Sequence, residues 1–111
     1  MDDLVQRLSE GNHKVVVGGP QATLEEFRKR VEDMGYVFIK FTETRGGTDL
    51  GVRVDKSATR TDQASFENAT GSVHVEGTLT LNYVKVRCIA DIDLATLQGT
   101  GRLVALEEVH P

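Results

Sequence analysis

Leu24, Phe27, Val31 and Met34 recur at spacings of three and four, which lays one apolar stripe along an α-helix. Thr23 and Glu26 stand at its start in the T-x-x-E pattern of a capping box, in which each side chain satisfies a backbone N–H that the first turn leaves unpaired. Gly35 follows and can take the left-handed conformation that ends a helix. The pattern predicts a helix over 24–34, with its Met and Phe stripe in the core. A shorter stripe of Leu4, Val5 and Leu8, with acids at its positive end and Gly11 as its stop, predicts a helix over 2–10. Between the two, HKVVVGG is a β-branched run bounded by glycines and reads as a strand.

From Tyr36 onward the period is two. YVFIKFT places Val37, Ile39 and Phe41 on one face, and LGVRVD does the same for Leu50, Val52 and Val54. Pairing Phe41 with Leu50, Ile39 with Val52 and Val37 with Val54 brings all of these side chains to one side of a hairpin, and a one-residue slip would destroy the match. That register leaves Thr44, Arg45, Gly46 and Gly47 as the loop, where glycine meets the need for positive φ. Further on, Val73, Val75, Leu79 and Leu81 are odd-numbered, whereas Val84, Val86, Cys88, Ala90, Ile92 and Leu94 are even. One straight strand cannot change phase. The chain is therefore expected to reverse near Asn82-Tyr83, pairing Leu81 with Val84, Leu79 with Val86, Val75 with Ala90 and Val73 with Ile92. Tyr83 is an awkward residue for a two-residue primed turn, which points to a wider loop. A last strand is expected over 100–106, with the side taken by Leu103 left open by the glycines before it. The polar segment KSATRTDQASFENATG, residues 56–71, has no clear period and reads as a long loop. It holds either a short strand around 63–66 or a mobile loop, with Phe66 as its anchor to the body.

Helix, strand, helix and then strands joined mostly by hairpins make a single α+β domain over 1–111. The expected architecture is one main amphipathic helix, with a short N-terminal one, packed on a twisted, largely antiparallel sheet of about five to six strands. One main helix cannot cover such a sheet. The remaining surface is expected to meet the N-terminal helix, the long loop or a second subunit, which raises homodimerisation through a sheet face or edge.

At 111 residues, 39% hydrophobic and 27% charged, the chain has the composition of a globular protein with one core. A formal charge of −4, with Glu25, Glu26, Arg28, Lys29, Arg30, Glu32 and Asp33 interspersed on one solvated helix face, argues against nucleic acid as a partner. The opening MDDLVQRLSEGNHK lacks the apolar run of a signal peptide, and no segment approaches the length of a membrane span, so no membrane partner is expected. Cys88 is the one cysteine; it excludes an internal disulfide and fits a reducing cytoplasm.

Candidate chemistry is sparse. The second face of the later hairpin carries Ser72, His74, Glu76, Thr78 and Thr80 opposite Asp93, Asp91, Ile89, Arg87 and Lys85. His74 beside Asp91, with Ser72 one pair away, invites a hydrolytic triad. An open sheet surface offers no oxyanion hole, however, so the pair is read as a cross-strand contact on a polar face. His13 and His110 lie elsewhere, and no metal set is expected. VGGPQATLEE lacks both the G-x-G-x-x-G and the phosphate-loop Lys-Ser/Thr patterns and reads as a strand-to-helix connection, so no cofactor is expected. Cys88 points to the core, where a thiol is inert.

Arg45 has no structural reason to be arginine and is the candidate loop-tip contact. Tyr36 and Phe38 share a face with Lys40, Arg53 and Asp55. The expectation is that the N-terminal helix covers that face through Leu4, Val5 and Leu8. The alternative is an exposed recognition surface of the residue types enriched at interface centres. Together these features predict a small cytoplasmic, non-catalytic protein that acts through protein–protein interaction or self-association. Arg45, Tyr36, Phe38, Arg53, His74 and Asp91 are its candidate binding residues. The alternative is a small-ligand-binding protein or small α+β enzyme with a pocket between helix and sheet.

Overall fold

The computed structural model describes residues 2–109. In chain order the elements are α1 (Asp3–Ser9), β1 (His13–Val17), α2 (Leu24–Lys29) running on into a π-helical turn (Arg30–Met34), β2 (Tyr36–Phe41), β3 (Thr48–Val54), β4 (Ala64–Ser65), β5 (Thr70–Leu81), β6 (Val84–Asp93) and β7 (Gln98–Glu108). The seven strands lie in the order β3-β2-β1-β7-β6-β5-β4, every pair antiparallel. β3 also pairs with β5, at Arg53–Thr78 and Val54–Gly77. Six of the strands thereby close on themselves as a barrel, and the two-residue β4 hangs on the outside of β5. The α+β class and the antiparallel sheet are as expected; β4 raises the strand number.

Alternation explains the barrel wall. Val37, Ile39, Phe41, Val52, Val73, Val75, Val86, Cys88, Ala90, Ile92 and Leu103 are all fully buried and share one interior. Because the sheet wraps around its own apolar face, it needs no helix laid across it, and here the structure departs from the expected layering. The helices stop the ends instead. At one end α1 buries Val5 and Leu8. Its Asp2 cap accepts from the Asn82 side chain in the β5–β6 turn at 3.2 Å, and Arg7 donates to the Glu43 carbonyl in the β2–β3 loop at 3.2 Å. At the other end α2 and its π turn bury Phe27 and Val31. There Arg28 stacks on Phe66 at 5.1 Å, and Lys56 donates to the Glu32 carbonyl at 3.2 Å.

The Thr23 hydroxyl accepts from the Glu26 N–H at 3.2 Å, as the capping pattern requires, while the Glu26 carboxylate pairs with Arg30 at 3.2 Å. The helix ends where expected, with Gly35 left-handed at φ 67°. Its last turn is wide: the Gly35 N–H donates to the Arg30 carbonyl, five residues back, at 2.8 Å. An i→i+5 turn rotates each residue through less than an α-turn does. Met34 is thereby carried out of the stripe and is 50% exposed, contrary to its expected place in the core.

The β5–β6 register matches expectation at Leu81–Val84, Leu79–Val86, Val75–Ala90 and Val73–Ile92. Its turn is tight, not wide: Asn82 and Tyr83 both have positive φ, 47° and 64°, in a two-residue connection. Ten ladder positions over-determine it and hold Tyr83 in a conformation it would not choose alone. The first hairpin is offset by two residues from expectation, pairing Phe41 with Thr48, Ile39 with Leu50 and Val37 with Val52, so the loop is 42–47. A shift of two preserves every face, so alternation cannot choose between the registers. The observed one sets Phe38 opposite Gly51 and leaves room there for the Tyr36 ring. β7 is longer than expected, and its Leu103 faces inward.

Residues 56–71 form a folded strap, not a mobile loop. β4 pairs with Thr70 and Gly71, Arg60 pairs with His74, and Phe66 is buried as the anchor.

Candidate partner-binding surface

Closure of the barrel is incomplete. β3 meets β5 at only two positions, both at the same end of the joint. Past them Leu79–Leu81 and the first half of β3 diverge. The open cleft between them has a volume of about 580 Å³ and is lined by Tyr36, Asp49, Gly51, Arg53, Thr78, Thr80 and Lys85, with Leu50, Leu79 and Leu81 supplying apolar surface.

Tyr36 and Phe38 alternate outward on β2 and meet edge to face, 5.5 Å between centroids and 89° between planes. The Arg30 guanidinium lies 4.8 Å from the Phe38 centroid. The loop before α2 runs past the same face, where the Gly19 N–H donates to Asp49 at 2.8 Å. Cover by α1 is not what the structure has, because α1 lies at the barrel end. Tyr36 remains 41% exposed at the mouth of the cleft, beside exposed Arg53.

Of the residues singled out from sequence, Tyr36, Phe38 and Arg53 thus come together. Arg45 is exposed in the β2–β3 loop, at the opposite end of β2 from Tyr36, and does not join them. His74 and Asp91 do pair, at 2.8 Å, on the outer wall of β5 and β6, but they line a separate cleft with the 56–71 segment and not the one between β3 and β5. Their other partners form a chain of charge. His74 Nε2 hydrogen-bonds Glu76 at 2.7 Å, Arg87 donates to Glu76 at 2.9 Å and to Asp55 at 2.8 Å, and the Ser57 hydroxyl donates to Asp55 at 2.6 Å. Glu76 favours the charged form of His74 most, with Asp91 adding to it, and so raises its pKa against some desolvation. His74 and Arg87 in turn lower that of Glu76. The Ser57 hydroxyl and Arg87 bring Asp55 down to about 2.

Both ring nitrogens are engaged by carboxylates, Nδ1 by Asp91 and Nε2 by Glu76, and not by Ser72, so the base-to-nucleophile contact that a triad needs is not made. Among the described residues no His, Cys, Asp and Glu cluster could hold a metal ion; His110 lies outside them. Burial pushes the Cys88 thiol up to about 12, so it offers no thiolate. Between the π turn and the strap is a concavity of only about 210 Å³, below the roughly 300 Å³ at which ligand pockets begin.

Glu76 and Arg87 were legible as members of the polar face, since i, i+2 alternation puts them there. Thr80 and Lys85 were legible on that same face, and Asp55 on the face of Tyr36 and Arg53. That Thr80 and Lys85 line the cleft and that Asp55 meets Arg87 follow only from the closure of the barrel, and no local signal marks Gly51.

The profile of one protein family, core binding factor beta subunit, matches residues 1–110. No curated protein matches the chain. The match runs through both helices and every strand of the barrel, and with it the chain belongs to the core binding factor beta subunit family, whose members are protein-binding subunits.

Proposed function

We propose that this chain is the non-catalytic half of a two-protein assembly and holds the other core binding factor subunit at the open cleft between β3 and β5. The observation that carries this reading is the incomplete closure. Strand edges left unpaired are docking groups for another chain. Here they are rimmed by an exposed tyrosine and by Arg53 and Lys85, on a chain that belongs to a family of subunits. The cytoplasmic setting expected from lone, reduced Cys88 is part of the same reading. Self-association is the second reading, because the same free edges would also accept a copy of this chain.

A photo-crosslinking amino acid placed at Thr80, with a second at Glu25 on the outer side of α2 as control, separates the two in cells of the native host. The expected result is one heterologous product from position 80 and none from position 25, reduced when Arg53 and Lys85 are both changed to Glu. Product containing only a second copy of this chain would replace the first reading with the second. The same product from both positions would remove the cleft from consideration.

A further inference from the structure

His74 hydrogen-bonds two carboxylates at once, Asp91 through Nδ1 at 2.8 Å and Glu76 through Nε2 at 2.7 Å. A carboxylate can only accept, so both ring nitrogens must donate, and only the imidazolium carries two N–H groups. This charged ring stands beside the shortest joint of the barrel. One position along β5 from the Val54–Gly77 pair, the Glu76 carbonyl accepts from the Asp55 N–H at 2.8 Å. The strap returns over the same wall: the Thr59 hydroxyl donates to the Glu76 carbonyl and accepts from its N–H, and Arg60 and His74 exchange both backbone hydrogen bonds.

The groups around His74 come from every neighbouring element. Glu76 is on its own strand, and β6 supplies Asp91 and the Arg87 that holds Glu76. The strap contributes Arg60 and Asp62 to a shared cleft of about 710 Å³, with Asp55 held by Arg87 at its start. β7 sets uncharged Thr100 beside Asp91, with Arg102 further along. Charged His74 joins Arg87 and Arg60 against Glu76, Asp91, Asp55 and Asp62. Neutral His74 leaves two arginines against those four acids.

We propose that His74 is a proton-operated latch on the barrel closure. Charged, it cross-links β5 to β6 and seats the strap and the end of β3. Neutral, it releases Asp91, and the strap loosens together with the β3–β5 joint. The latch belongs to the chain by itself, and its test needs no partner, so its outcome leaves the partner-binding reading untouched.

The experiment follows the His74 imidazole and the methyl groups of Val54 and Ala58 by NMR from about pH 5 to 9, a range that brackets an ordinary histidine. Both His74 nitrogens should carry protons below the midpoint of the ring, and the two methyl signals should move with that midpoint. His74→Gln cannot donate from two ring positions; it should lack that step and hold the high-pH methyl positions throughout. Asp91→Asn, a change at an exposed side chain, should lower the midpoint. Methyl signals that stay fixed while His74 titrates would overturn the latch. So would a step that persists in His74→Gln, or a midpoint unmoved by Asp91→Asn.

Discussion

The Tyr36 hydroxyl lies over Gly51 on the neighbouring strand, in space that any side chain at 51 would need. Gly51→Ala should therefore displace the ring from the cleft mouth. Tyr36 is 41% exposed and free to swing outward, so stability should change by less than about 1 kcal/mol. The edge-to-face contact with Phe38 should vanish from aromatic NOE spectra. With the partner docked at the cleft as proposed, its affinity should fall roughly tenfold or more, the range for loss of a central interface tyrosine.

Gly77 is where β3 comes close enough to close the barrel. A Cβ there would strike the Arg53 carbonyl and stand 2.6 Å from Val52 Cγ1, and neither can give way without moving β3. Gly77→Ala should cost about 1–3 kcal/mol, as overpacking does, in urea denaturation. Hydrogen exchange across the Arg53–Thr78 joint should accelerate more than exchange in the β6–β7 ladder.

The π turn separates two residues of one apolar stripe. Phe27 is fully buried and Met34 half exposed. Phe27→Ala should cost about 3–5 kcal/mol, whereas Met34→Ala should stay within about 0.5 kcal/mol. Paired thermal melts of the two variants decide this. Equal losses would mean that Met34 packs in the core and the wide turn is absent in solution.

Two kinds of group give stability opposite dependences on pH. Asp55 and Glu76 are held below their ordinary values, so they stabilise the fold above those values and the contribution is lost on acidification, for Asp55 from 3.8 down through about 2. His74 is held above its ordinary 6.5, so its contribution is complete below 6.5 and lost as pH rises through the raised value. The melting temperature should therefore decline on both sides of a mildly acidic to neutral plateau. His74→Gln should remove the alkaline decline and weaken the Glu76 part of the acid one, because His74 also holds Glu76 below its ordinary value. Arg87→Gln should flatten the acid one, because it takes away a partner of both carboxylates.

Sequence alone determined which side chains of the two hairpins face inward, though not the outward turn of Met34 or the side taken by Leu103. Alternation along 73–92 set the β5–β6 register residue by residue, and the stripe with its Thr23 cap and Gly35 stop marked both ends of the second helix. These are local properties: strand and helix periods repeat over a few residues and can be read from them. The His74–Asp91 contact was legible for the same reason, since one register fixes every cross-strand neighbour. Tertiary structure decided what the apolar face packs against. It rolled the sheet on itself, sent the helices to the ends, offset the first hairpin by two residues and brought Arg53 to Thr78. It also drew Asp55 into the charge chain and left Arg45 alone at a loop tip. A two-residue slip leaves every face unchanged, and closure depends on accumulated twist and on the missing side chain of Gly77, which lets β5 approach a strand distant in sequence. No window along the chain contains both partners of such a contact, so the cleft between β3 and β5 exists only once the barrel has formed.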